Sequence, residues 1–550
     1  MVAWLLLPSL ALAAPAGDPG RTLSLEEARR FSLPAQPVRG DTGINVLLDH
    51  AHQAAFAMMW DWTGWARGLG FRVVGSHASL DSVLDERGKC RIRVPDGKRR
   101  PFAWWPNPKF NVVVSYQLGS SRQEYLPSER RSLERFLQAG GGALLLVSPP
   151  SRTEPYSLKE LLQAWGCSLS DAPAPFAGQR LAGLALGEGW MVLERAEDGT
   201  PVAAVRAFGK GRLAVADHRL VLPSDKAPEQ GPLSRAALEE RVGRWLRSLS
   251  DGKRPVGGPA NLPMEDPGVG GAVYPELEER VGGAVVFYAK NQTDAVLQCV
   301  RKDVPRVDRQ VRAWIPSPKP KDPMFLILAA GEGGGWAVNM YEPKEVGIIS
   351  ADPDGILSIL AHEVAHTCYA GPPNSKGGAA GNLPEVFSEA HAGWFQRKAD
   401  FWRTGKTGHN ANGLFTFDPD ATKLDLSRGE SYPYGQAWTK LWWLWQKLDE
   451  RYGPTWYPRW LWVKNQRWAD QPNRRLSWDD VVEDMSIAVG EDLFPMMRRI
   501  GTTLRKDRFP EAVFQGRRLR LEPAGFDLTP AGDPITEPIG DWRKPLPRRK

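Results

Sequence analysis

The sequence predicts two folded parts in one chain: a doubly wound α/β domain with a parallel sheet, then an α+β domain that ends in a helical lobe. Three observations carry this expectation. Between residues 43 and 250, short apolar runs alternate with helical stretches, the order that buries a parallel sheet between helices. Residues 251–263 (DGKRPVGGPANLP) then break the pattern with linker composition. Beyond them, a few strands lead into a long helix bearing two histidines, after which the chain becomes helical and aromatic. A length of 550 residues allows two or more sizeable cores, and 42% hydrophobic with 25% charged residues is ordinary for soluble globular proteins.

Residues 1–14 carry an apolar run from Ala3 to Ala14, with Ala11-Leu12-Ala13 as a small-x-small cleavage site but no basic start. This reads as an export signal, so the expected location is secreted, periplasmic or cell-surface. The run is too short to span a bilayer and nothing longer follows, so no stable membrane span is expected. A net charge of +7 is mild and spread along the chain. No nucleic-acid-binding motif accompanies it, so no nucleic-acid partner is expected. The four cysteines show no pairing pattern, and Cys368 lies on the two-histidine helix, where a buried thiol is expected. Most of the 23 tryptophans fall on predicted helices and read as core, with a few available to a glycan-binding surface.

In the first domain, 41–250, strands are expected at 44–48, 71–74, 110–116, 143–147 and 211–217. Helices are expected at 54–69, 79–84, 127–138, 157–165 and 233–249. A helix closed by Gly140-Gly141-Gly142 just before the strand ALLLV resembles class I glutamine-amidotransferase-like folds. Those enzymes need a cysteine on a tight elbow after a central strand. Here the strand at 110–116 runs into Gln117-Leu118-Gly119-Ser120-Ser121, so the resemblance implies a non-catalytic accessory domain. His50, His52, His77 and His218 near strand ends read as surface or hydrogen-bonded side chains. A second metal site from Asp49, His50 and His52 is conceivable, with nothing in the sequence to support it.

The second domain, 264–514, opens with a strand at 284–288, a helix at about 293–312 and a buried strand at 325–330. A glycine loop and strands at 336–339 and 346–350 follow. The Asn291-Gln292-Thr293 triplet is a glycosylation sequon if the source is eukaryotic. Next comes the helix holding His362-Glu363-Val364-Ala365-His366, with Asp354 as N-cap and Ile356, Leu357, Ile359, Leu360 and Val364 as its apolar face. His362 and His366, four residues apart, project from one side. Neutral imidazole suits Zn²⁺, and Glu363 between them can take a proton from a zinc-bound water. Two buried histidines and a glutamate in so apolar a stretch need partners, which argues against a solvated face spelling this motif by chance.

A Gly/Pro/Asn-rich loop at 371–383 leads to a helix opening at Pro384 and running to about residue 399. Glu385 and Glu389 fall on one face of it. Two histidines on one helix and a glutamate from the next resemble the gluzincin arrangement. The expectation is Glu385 as third zinc ligand and Glu389 as partner to a ligand histidine, with the reverse assignment open. Further helices are expected at 434–450, 456–464, 478–485 and 491–500. Tyr432 and Tyr434 sit where a phenol could stabilise an oxyanion, and Tyr434 is the candidate taken. Residues 515–550 read as a Pro/Arg-rich tail, extended on the domain or disordered.

The C-terminal part, roughly 285–505, resembles the enhancin/mucinase-type gluzincins of the peptidase M-sixty family. The resemblance rests on His362-Glu363-Val364-Ala365-His366, on Gly381-Asn382-Leu383-Pro384-Glu385-Val386, on the stretch 441–452, and on Ser486-Ile487-Ala488-Val489-Gly490-Glu491-Asp492-Leu493-Phe494-Pro495 before Gly501. Two positions depart from the family: Ala365 stands where Gly is common before the second histidine, and Glu389 where Asn commonly follows the glutamate by four. The resemblance implies a thermolysin-like zinc peptidase domain with a helical lobe. It implies a protein or glycoprotein substrate, including mucin-like O-glycosylated ones. The alternative is a non-catalytic peptidase-like protein that binds cell-surface glycoproteins; a pure binder would have no need of Glu363.

Overall fold

The computed structural model describes residues 23–32, 41–54, 57–93, 102–117, 123–149, 157–222, 230–250, 273–315, 323–331, 333–338, 344–368, 382–406, 424–432, 436–471 and 474–525, and most of 527–539. The expected export signal, the linker at 251–263 and Tyr434 lie outside them. The chain is a multi-domain α/β protein that divides into two compact units. One comprises 1–278, 287–293 and 328–332, and the other 279–286, 294–327 and 333–550.

The first unit is built on a ten-stranded sheet. Its strands are β1 (Asn45–Asp49), β2 (Arg72–Ser76), β3 (Lys89–Arg93), β4 (Phe102–Pro106), β5 (Val112–Tyr116), β6 (Gly142–Val147), β7 (Trp190–Arg195), β8 (Pro201–Phe208), β9 (Gly211–Asp217) and β10 (Val273–Tyr274). They are ordered β7-β8-β9-β6-β5-β1-β2-β10-β3-β4. The run from β9 to β10 is parallel. The two outermost strands at either edge are antiparallel, which corrects the wholly parallel expectation. Alternate residues of β1 enter opposite cores: Val46 and Leu48 one, Leu47 the other. The first core is closed by α4 (Arg235–Ser250) through Leu238, Val242, Trp245 and Leu246. The second is closed by α2 (Pro127–Ala139) and α3 (Ser157–Ala164) through Leu133, Leu137, Leu158 and Leu162. A short helix, α1 (Leu25–Ser32), packs on α4. Helix α2 has Pro127 in its first turn and Glu129 accepting from Leu126 N at 2.9 Å. It ends at Gly140, whose φ of +113° suits only glycine.

Of the surface or hydrogen-bonded histidines expected from sequence, His52 at the carboxyl end of β1 is of the second kind, held in a buried polar network. His52 Nδ1 lies 2.7 Å from Asp49 Oδ2, and its Nε2 3.3 Å from Glu129 Oε2. The Tyr125 ring stacks on the imidazole at 3.7 Å, and Ser115 of β5 donates to Asp49. Burial alone would lower the His52 pKa, but the two carboxylates outweigh it and raise it to about 10. Asn291 of the sequon is buried, with its amide donating to Ala51 O at 3.1 Å, so it is not presented for glycosylation. All four cysteines are buried and free.

The second unit carries a five-stranded sheet of β11 (Leu277–Val281), β12 (Ala284–Tyr288), β13 (Met324–Ala329), β14 (Gly335–Val338) and β15 (Glu345–Ile349), in the order β11-β12-β13-β15-β14. The helix expected at 293–312 is two, α5 (Asp294–Lys302) and α6 (Val304–Trp314), because Pro305 cannot continue the first. The two-histidine helix, α7 (Pro353–Cys368), starts earlier than its expected cap. Asp352 Oδ2 accepts from Gly355 N at 3.1 Å, and Asp354 instead pairs with Arg403 at 2.7 Å. Helix α8 (Val386–Thr404) packs along α7, and α9 (Gln436–Tyr452), α10 (Trp456–Arg467), α11 (Trp478–Val489) and α12 (Phe494–Arg499) complete the helical part. Trp394, Trp443, Trp445, Trp456 and Trp460 are fully buried here. A hairpin, β16 (Glu511–Phe514) and β17 (Arg517–Arg520), straddles the expected start of the tail at 515, and the chain continues across α9, where Trp443 Nε1 donates to Thr529 O at 3.1 Å. Among the described residues no helix is long and apolar enough to cross a membrane.

Replacing His52 with Leu leaves Asp49 and Glu129 buried without their cation, an expected loss of about 3–5 kcal/mol. The folded pKa lies above the unfolded one. The stabilisation is therefore fully present below about pH 6.5, outside the range where the carboxylates protonate, and is lost as pH rises through about 10. Urea unfolding of both proteins from pH 6 to 10 checks this; the gap should shrink with rising pH.

Candidate metal centre

Because α7 places His362 and His366 one turn apart, both imidazoles leave it on the same side. Their Nε2 atoms stand 3.2 Å apart. From α8, Glu389 faces both, with Oε2 3.3 Å from His362 Nε2 and Oε1 3.4 Å from His366 Nε2. Donors bound to a tetrahedral zinc at about 2.0–2.2 Å sit about 3.3–3.5 Å from one another. The three separations match that spacing, and two imidazoles with one carboxylate are zinc-type donors, so the residues fit the ion. Among the described residues no other group of three possible ligands converges in this way, Asp49, His50 and His52 included.

The nitrogen of His362 that faces away is fixed as well. Its Nδ1 lies 3.0 Å from Gln396 Oε1, and Gln396 Nε2 donates to Ser358 Oγ at 2.9 Å. A carbonyl acceptor demands an N–H at Nδ1, which leaves the Nε2 lone pair toward Glu389 and His366. Behind the pair, buried His391 of α8 donates from Nε2 to Ala365 O at 3.1 Å and accepts at Nδ1 from the Tyr457 hydroxyl at 2.6 Å. Burial, then the nearby His366 and His362, hold the His391 pKa well below its ordinary value, so it is a neutral tie between α7, α8 and α10.

Electrostatics follow the same arrangement. Burial would raise the Glu389 pKa, but hydrogen bonds to both imidazoles hold it well below the usual carboxylate range. Burial works against charge on His362, yet Glu389 and Glu363 raise its pKa. Glu363 is buried, and its pKa is raised by burial against the pull of the two histidines. It abuts β14, the terminal strand of the sheet, which pairs antiparallel with β15. A methyl on Gly335 would lie 2.7 Å from Glu363 Oε1, Gly347 O and Ile359 Cγ2 alike. Gly335 is what lets the strand approach that carboxylate.

The sequence-derived residues thus divide. His362, His366 and Glu363 come together as expected. The carboxylate beside the imidazoles is Glu389, while Glu385 is exposed at the N-cap of α8, so the preferred assignment of the two is reversed. The partner of His362 is Gln396, a residue the sequence reading passed over; its spacing of seven from Glu389, two helical turns, was the available signal. Tyr432 uses its hydroxyl to accept from Asp425 N at 3.0 Å.

Gly335→Ala should cost about 1–3 kcal/mol, since three atoms must give way at once. The midpoint of urea unfolding measures it, and an unchanged midpoint would refute the close approach.

No family model matches the chain, and no curated protein does. Among solved structures, similarity is found to a cytoplasmic protein from Salmonella typhimurium LT2 at 14% identity and a TM-score of 0.25, covering 38% of this chain and 99% of that one. An exo-β-1,4-mannosidase from Opitutaceae bacterium strain TAV5 matches at 12% identity and a TM-score of 0.22, covering 37% of this chain and 35% of that one.

Proposed function

We propose that the chain is a zinc-dependent endopeptidase acting on protein substrates, O-glycosylated ones included. The reading rests on one observation above the others: His362, His366 and Glu389 converge at zinc-ligand spacing with the Glu363 carboxylate buried beside a terminal strand. His362, His366 and Glu389 would hold the ion. Zinc, when bound, supplies Lewis acidity toward a carbonyl oxygen and toward water. Glu363 takes a proton from the attacking water and returns it to the leaving amine nitrogen. Strand β14 offers main-chain groups along which an extended substrate segment aligns, and Gly335 keeps that strand close to Glu363. Gln396 holds His362 in the tautomer that presents Nε2 to the ion.

Elemental analysis of the purified chain should find about one zinc per molecule. His362→Ala and Glu389→Ala should lose it and Glu385→Ala should keep it; retention in Glu389→Ala with loss in Glu385→Ala would return the third position to Glu385. Glu363→Gln should keep zinc while hydrolysis of an unfolded protein substrate falls by about 10²–10⁴-fold. Full activity in that variant would sink the mechanism. Gln396→Ala should weaken zinc affinity by about 10–100-fold in a competition titration.

A further inference from the structure

The hydrogen bonds behind His362 continue as a ladder along the seam between α7 and α8. On α7, Asp354, Ser358 and His362 follow one another at four-residue steps; on α8, Gln396 and Asp400 do the same. Outward from the metal centre, His362 Nδ1 lies 3.0 Å from Gln396 Oε1, and Gln396 Nε2 2.9 Å from Ser358 Oγ. Ser358 Oγ in turn lies 2.9 Å from Asp400 Oδ2. Asp400 is buried, and its other oxygen, Oδ1, stands 3.4 Å from Arg403 Nη2. Burial raises the Asp400 pKa against the pull of Ser358, Arg403 and Arg397, and Arg403 supplies the counter-charge.

One set of donor directions satisfies this ladder, and it is set from the Asp400 end. A carboxylate only accepts, so Ser358 gives its single proton to Asp400. The hydroxyl then has only lone pairs for Gln396, which turns its NH2 to Ser358 and its carbonyl to His362. His362 Nδ1 therefore carries the N–H, and the lone pair stays on Nε2, the atom that faces Glu389 and His366. The amide by itself has no such preference, because its two orientations are nearly isosteric. The reverse one sets NH2 against Nδ1 and puts the ring proton on Nε2, where the ion has to bind.

We propose that Asp400 is a positioning residue for the metal centre: acting through Ser358 and Gln396, it selects the His362 tautomer that presents Nε2 to the ion. This rests on His362 as a metal ligand and adds a residue three hydrogen bonds away from its imidazole. Asp400→Asn keeps the size of the side chain and reverses the ladder. Its amide oxygen goes to Arg403 and its NH2 to Ser358, whose proton then turns to Gln396 and rotates that amide.

A double-mutant cycle read by zinc competition titration on the full chain tests this. Asp400→Asn should weaken zinc binding by about tenfold or more, and Ser358→Ala by a similar factor. In a Gln396→Ala chain, where the ladder is already cut, either change should alter the affinity by less than about twofold. A residue that merely holds α7 against α8 gives the same loss in both backgrounds, so equal losses overturn the proposal. Affinity in Asp400→Asn equal to that of the parent overturns it as well and leaves the metal centre standing. A parent chain that binds no zinc overturns both. The expected cycle together with full hydrolysis by Glu363→Gln keeps the role of Asp400 and overturns the peptidase. Urea unfolding checks that each variant is folded, and Ser358→Ala completes the cycle if Asp400→Asn is not.

Discussion

Two imidazole nitrogens held 3.2 Å apart, each beside an oxygen of one carboxylate, define a constraint on everything around them. Two lone pairs at that distance repel, and only a proton or a cation between them relieves the repulsion. The surroundings keep the pair in place nonetheless. Gln396 fixes the tautomer of His362, and His391 ties the helix that carries both histidines to its own helix, which carries Glu389, while remaining neutral, so it adds no further positive charge. Ala361, Ala365 and Ala390 are fully buried, and side chains this small allow α7 and α8 to pack closely enough for one carboxylate to span both rings.

The helical part of the second unit holds α8 from its other side. Lys398 of α8 pairs with Asp449 of α9 away from water, and Asp449 also accepts from Trp456 Nε1 at 2.7 Å. At the start of α8, Phe387 packs between Trp445, Trp460 and Trp478, with ring centroids 5.0–6.0 Å apart. Aromatic side chains bury large areas with few rotatable bonds, so such a cluster fixes a helix in rotation as well as in position. The expectation that most tryptophans are core is met at these positions by packing. Trp104, in the other unit, stands out among the large apolar side chains that remain exposed.

What the sequence made legible follows from locality. The HExxH helix, the strands at β12, β13, β14 and β15 and the central strands of the large sheet carry their signal within a few consecutive residues. The antiparallel edges did not: β3 and β4 are short, with Lys89, Arg91 and Arg93 alternating among apolar residues, and β7 is half-exposed throughout most of its length. The network at His52 was illegible for another reason. Asp49, Ser115 and Glu129 are brought to it by β1, β5 and α2, and Tyr125 by the segment before α2, so its pKa shift depends on contacts that no spacing along the chain encodes.

The exchange of roles between Glu385 and Glu389 turns on where one helix begins. Four residues apart, they share a face in any helix that includes both, and the Gly-rich text before Pro384 offers no landmark for the start. Here the helix begins at Val386, which leaves Glu385 at the N-cap, exposed and one turn before Glu389. Glu389 lies inside the first full turn, with its backbone fixed and the positive end of the helix dipole beneath it. A carboxylate there is favoured as an anion before any ion binds, in the same direction as the pull of the two imidazoles. A charge held in advance at a rigid position suits a metal ligand, because neither deprotonation nor ordering remains to oppose binding.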